Sequence, residues 1–153
     1  MPKAKDAGVT ISSIHLPFGG GWLDPAGKDP EGREKYAAMQ CEIIEAAGKA
    51  GIPIVVVHPS AEPYQEEERE ERLALAIESI RKLTEKAVSC GVTLALENLP
   101  RTCLCRTHED MVKFLDAIPE LKVCFDTNHC LIEDNAEYIR AVGDKIVTLH
   151  VSD

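Results

Sequence analysis

The sequence predicts an α/β fold: about five parallel strands alternating with helices, arranged as a partial (β/α)8 barrel. Three observations predict it. Short apolar runs alternate with amphipathic stretches along all 153 residues. VVV and VTLAL are apolar at consecutive positions, as strands covered on both faces require. The runs also finish in ionisable residues, which suits a barrel, because each of its strands feeds the same rim.

The first strand is expected at 8–15, where VTISSIH closes on His15. Glycine and proline crowd the segment that follows, PFGGGWLDPAGKDPEG (17–32), a loop long enough to act as a lid or substrate wall. Phe18 and Trp22 within it offer rings that either stack on a sugar or pack the wall. A helix is expected over 33–50, with Tyr36, Met39, Ile43, Ile44 and Ala47 on one stripe and Gly51 as its terminator. IPIVVVH (52–58) forms the second strand and ends in His58. The acidic block QEEEREER (65–72) suits the start of the next helix, expected over 70–90. That helix places Leu73, Ala76, Ile77, Ile80, Leu83 and Val88 on its apolar stripe, and Gly91 ends it.

The third strand, 92–97, closes on Glu97. Arg101 in ENLPR, just beyond it, either meets an anionic substrate or is merely solvated. THEDMVKFLDAI (107–118) starts with a threonine in capping position, and His108 at that start is expected to be exposed. The fourth strand, 121–126, ends at Asp126, with His129 three residues on. NAEYIRAVG (135–143) is a short helix, and KIVTLH carries the fifth strand (145–151) to His150. The order β-α-β-α-β-α-β-α-β builds a parallel sheet by right-handed crossovers. An open nucleotide-binding sheet would want a glycine-rich turn after the first strand, and no GxGxxG is present. No linker divides the chain, so 1–153 reads as one partial barrel domain.

Composition narrows the function classes. The formal charge of −9 disfavours nucleic acid as a partner. No apolar run approaches the roughly 20 residues of a membrane span. MPKAKDAG lacks the apolar stretch of a signal peptide, so the six cysteines read as reduced thiols of a cytoplasmic protein. Cys103 and Cys105 form a CxC, a spacing poor for a zinc clamp.

A single histidine at a strand end is more often a structural group than a ligand. Candidates at five consecutive strand ends are hard to explain by structural need alone. Glu97, Asp126 and His150 are therefore read as ligands of a divalent metal, with Mn, Mg, Co or Zn all compatible with the mixed N/O set. His15, His58 and His129 are placed at the same site, for substrate or for a second metal.

The segments SIHLPF, VVVHPS, LALENLP, VCFDTNH and LHVSD resemble the xylose-isomerase-like TIM-barrel superfamily. That superfamily holds sugar and sugar-phosphate isomerases and epimerases alongside apurinic-site endonucleases. The resemblance implies that Glu97, Asp126 and His150 match three of the four ligands of the epimerase metal. It implies that His129 touches substrate in the epimerases or holds an additional zinc in the nucleases, where His15 and His58 match further zinc ligands. It also implies proton transfer through a metal-bound enediolate, with Glu97 as one of two glutamates.

Family barrels have eight strands and about 250 residues; this chain resembles strands two to six. A fragment or reduced homologue is thus expected, with an incomplete site. Its open sheet edges should favour a homo-oligomer or pairing with another chain to complete the barrel. The resulting expectation is a metal-dependent isomerase or epimerase of a small-molecule sugar. The alternatives are a zinc-dependent apurinic-site endonuclease-like protein and a non-catalytic fragment acting by association.

Overall fold

Each of the five apolar runs forms a strand, and each amphipathic stretch between them a helix. The computed structural model describes residue 4 and residues 6–152. The strands are β1 (Ser13–His15), β2 (Ile54–Val57), β3 (Thr93–Glu97), β4 (Lys122–Asp126) and β5 (Ile146–His150). The helices are α1 (Pro30–Lys49), α2 (Arg69–Ser89), α3 (His108–Ala117) and α4 (Asn135–Val142). All neighbouring strands are parallel, in the order β1-β2-β3-β4-β5, so the sheet is a curled half-barrel.

Local chemistry sets the helix boundaries. Helix α1 begins three residues before the apolar stripe suggests, because Asp29 accepts from the backbone N–H of Glu31 (3.2 Å) and Gly32 (3.0 Å) with Pro30 at the first position. Gly51 and Gly91 take φ of 73° and 68° just past α1 and α2, the left-handed geometry that ends a helix cheaply only with glycine. Thr107 stands in the capping position of α3 but its side chain makes no cap bond; Glu133 accepts the His108 N–H instead, at 2.6 Å. The first strand is shorter than its apolar run, spanning three residues.

Alternation divides each strand between two faces. Val55, Val57, Leu94, Leu96, Val123 and Phe125 join the main core, where α1 contributes Tyr36 and Ile44 and α2 contributes Leu73, Ile80 and Leu83. Burying such a side chain contributes roughly 1.5–3 kcal/mol. The expected stripe on α2 holds except at Val88, which is exposed; Ala87 is the buried residue of that turn. The opposite, concave face carries Val56, Ala95 and Cys124, a small separate cluster. Two residues further along their strands, on the same face, stand His58, Glu97 and Asp126.

Strand β5 departs from plain pairing. Val123 pairs with Ile146 but Cys124 pairs with Thr148, so Val147 is an extra residue in a bulge, and Asp126 lies opposite His150. Val147 and Leu149 are exposed on the outer face. No helix of the described residues is long and apolar enough to cross a membrane.

Candidate metal centre

Four strands deliver their last side chain, and β2 the residue just past its end, His58, to the same rim, and the delivered groups converge on Glu97. Its carboxylate is buried, 2 % exposed, at the end of a strand flanked on both sides. His15 Nε2 lies 3.0 Å from its Oε2 and His58 Nε2 lies 3.4 Å from the same oxygen. On the other side His150 Nδ1 is 2.9 Å and His129 Nδ1 3.5 Å from Oε1. Asp126 completes the group, its Oδ2 lying 3.8 Å from both His129 Nε2 and His150 Nδ1. All six rim residues named from the sequence are therefore brought together.

Neighbouring bonds fix how these groups point. The backbone N–H of Asn128 donates to Asp126 Oδ1 (2.8 Å), which leaves Oδ2 aimed at the cluster. Buried Asn98 clamps the end of β4, accepting from the Asp126 N–H at 2.6 Å and donating to the Asp126 carbonyl at 3.0 Å. The Asn98 carbonyl accepts from His129 Nδ1 (2.8 Å), so the His129 Nε2 lone pair faces Asp126. His15 Nδ1 donates to the Leu16 carbonyl (2.7 Å), which turns Nε2 toward Glu97. A neutral His15 would then set a lone pair against a carboxylate oxygen, a contact relieved by a proton or by a cation.

The electrostatics follow. Burial by itself would raise the Glu97 carboxyl, but hydrogen bonds from His15, His58 and His150 outweigh it and hold the group well below the usual carboxylate range. Burial pulls His15 down, yet its bonds to Glu97 and to the Leu16 carbonyl leave it raised above 6.5. At His58 burial wins over the attraction of Glu97, and the imidazole is lowered toward its neutral form.

This donor set fits a divalent cation. Bonds of about 2.0–2.2 Å place ligand atoms about 3–3.6 Å apart in a tetrahedral or octahedral shell. The separations here run from 2.9 to 3.8 Å. Three ligand groups lie within reach: His15, His58 and Glu97; Glu97, Asp126 and His129; and Glu97, Cys124 and His150. Glu97 belongs to all three. Hard carboxylates beside borderline imidazoles do not select strongly among Mn, Mg, Co and Zn.

A cavity of about 730 Å³ opens above this cluster. Phe18 and the backbone of Gly19 and Gly20 form one wall, so the glycine-rich loop is a wall as expected. The Phe18 ring sits 4.1 Å from His58 and 5.0 Å from His15, centroid to centroid. Trp22 is not in the cavity; its ring lies under Lys35. Arg101 is at the cavity mouth, neither free nor solvated alone, because Glu62 binds its guanidinium. His108 is half-buried rather than exposed, held by Glu133 Oε2 at 2.6 Å, and is no part of the cavity. The six cysteines are free, and burial pushes the Cys103 thiol up to about 12. Sequence reasoning passed over Glu62 and Asn98. Asn98 could have been noticed as a polar residue beside a strand-end glutamate; nothing local distinguished Glu62.

Residues 3–153 match the family described as xylose isomerase-like TIM barrel. A protein described as probable endonuclease 4 from Oleidesulfovibrio alaskensis is 31 % identical over 132 residues, 80 % of this chain and 44 % of that protein. D-psicose 3-epimerase of Enterocloster bolteae is 34 % identical over 86 residues, 52 % of this chain and 29 % of the enzyme. The solved structure of a D-tagatose 3-epimerase-like protein superposes with a TM-score of 0.86 at 27 % identity, covering 99 % of this chain and 59 % of that one. The chain thus spans less than half the length of these two curated relatives.

Proposed function

This chain belongs to the xylose isomerase-like TIM barrel family, and from that premise we propose that it is a metal-dependent isomerase or epimerase of sugars or sugar phosphates. One observation carries the reading: a single buried carboxylate, Glu97, is shared by four imidazoles beside Asp126, at the floor of a cavity large enough for a sugar. The likeness to the D-tagatose 3-epimerase-like structure supports it.

Glu97, Asp126 and His150 would hold the cation, and His15, His58 and His129 would face substrate or a second cation. When bound, a divalent metal supplies Lewis-acid polarisation of substrate oxygens. Glu97 then takes the proton from the carbon beside the carbonyl, as one of a pair of proton-transfer groups. The strong depression of its pKa keeps it ionised at neutral pH, which serves ligation more directly than it serves basicity. Phe18 and Leu131, both exposed, and buried Leu99 supply with Pro100 an apolar part of the cavity wall, suited to the carbon face of a sugar. A reducing cytoplasmic setting is in keeping with six free thiols.

The test removes metal with a chelator, restores Mn, Mg, Co or Zn singly, and follows ketose turnover and solvent-deuterium entry at the reacting carbon. Metal-dependent exchange is expected, with Glu97→Gln losing about 10²–10⁴-fold. A stoichiometrically loaded protein that neither exchanges nor turns over any ketose would sink the reading. Retained metal without chemistry would point to a fragment acting by association.

A second reading, an apurinic-site endonuclease-like zinc protein, is favoured by the additional ligand group that His15 and His58 form with the shared Glu97. Against it stand the charge of −9 and a cavity wall whose single Lys or Arg among the described residues is already paired. Salt-sensitive binding of abasic DNA, with more than one zinc per chain, would decide for it.

A further inference from the structure

We propose that Glu62 determines which sugars this site admits: by occupying the Arg101 guanidinium, it makes the cavity mouth select a neutral sugar over its phosphorylated counterpart. This rests on the sugar-isomerase reading above and narrows its substrate class.

Glu62 lies on the loop after β2 and Arg101 on the loop after β3, and both line the cavity. Among the described residues Arg101 is the one Lys or Arg on that wall. It holds a left-handed φ of 56°, and its carbonyl accepts from Arg106 Nη1 at 3.4 Å. Glu62 meets it with both oxygens: Arg101 Nη2 donates to Oε1, and Nε donates to Oε2 at 3.2 Å. Thr102 Oγ1 adds a donor to Oε2 at 3.4 Å.

A guanidinium fork fits phosphate oxygens as well as it fits a carboxylate. An unpaired Arg101 would therefore be a phosphate clamp at the mouth. With Glu62 in place the fork is filled and the local charge is neutral. A phosphate group could reach Arg101 only by displacing Glu62, which would leave a carboxylate beside a dianion, with Glu97 deeper in the same cavity. Neutral hydroxyls face no such conflict. They can accept from the remaining Arg101 N–H groups and donate to the remaining lone pairs of Glu62. The same pair that repels a phosphate thus offers a polyol both kinds of hydrogen-bonding partner.

The test uses the full chain loaded with Mn, with D-fructose and D-fructose 6-phosphate as a matched pair of probes and inorganic phosphate as a third. Wild type is expected to prefer the neutral ketose by about tenfold or more, in binding and in kcat/KM. Glu62→Gln keeps the shape of the side chain, and should tighten phosphate binding and shrink the preference by about tenfold. Adding Arg101→Ala to Glu62→Gln should abolish the gained phosphate affinity. Wild type binding the phosphate ester as tightly as the neutral ketose would overturn the proposal, as would Glu62→Gln leaving phosphate affinity unchanged. Turnover of neither ketose would remove the isomerase reading itself, while the phosphate titration would still judge Glu62.

Discussion

Glu97 shows how much one residue position can depend on its neighbours' strands. Its apolar run ends where the strand leaves the sheet, and the same rule placed His15, His58, Asp126 and His150. That is why the ligand candidates were legible: burial and strand termination are local properties of sequence. The residues that aim them were not. Asn98 acts by bonding the backbone of β4, and Glu62 by meeting a side chain 39 positions away; neither relation leaves a local pattern. His108 was misjudged for the same cause, since its partner Glu133 lies 25 residues on. That pair makes a pH prediction. The hydrogen bond to Glu133 raises His108 above its ordinary 6.5, so protonation favours the folded state. The contribution is full below about pH 6.5 and disappears as pH rises through the raised value. His108→Gln should lower stability by roughly 1 kcal/mol or less in acid and by a shrinking amount above neutrality. Thermal melts across pH check this; a penalty that grows with pH would contradict it.

At the scale of elements, periodicity revealed the five strands and the four α-helices α1 to α4 of the described residues, and misplaced mainly their ends. Boundaries depend on single capping residues, as at Asp29, and on whether a residue such as Val88 meets a neighbour. The packing of α1 against the end of α2 was not legible either. Gly48 sits inside α1, where composition suggests a weak point. A Cβ there would come within 2.8 Å of the Cys90 carbonyl oxygen and 3.1 Å of its Cβ. Gly48→Ala gains up to about 1 kcal/mol in helix propensity but overpacks backbone, at a cost of about 1–3 kcal/mol. Net destabilisation is expected in chemical denaturation. An unchanged or higher midpoint would mean that the two helices can part freely.

For the whole molecule, the arc of strands explains both the site and its exposure. Its concave face carries a small apolar cluster and, at the rim, the ligand candidates, while the outer face of β5 shows Val147, Leu149 and, just beyond, Val151 to solvent. Strands β1 and β5 each have one neighbour among the described residues. Unpaired backbone donors and acceptors beside apolar side chains favour strand addition by another chain. Self-association of this chain is therefore the expected behaviour. Light scattering across a concentration series would read it as a mass rising toward at least a dimer, and a constant monomer mass would refute it.

The bulge in β5 has a further meaning for the site: it is a phase correction. Counted straight from the Val123–Ile146 pair, the residue abreast of Asp126 would be Leu149, and an isobutyl group would stand where the imidazole does. The surplus Val147 advances the strand by one step, so the parity of β5 is out of step below the bulge and in step above it. Loss of Val147 would leave His150 abreast of Asp126, whereas loss of a residue between the bulge and His150 would turn the imidazole outward. The last imidazole of the arc is thus fixed by a miscount in backbone pairing, as much as by its own place in the sequence.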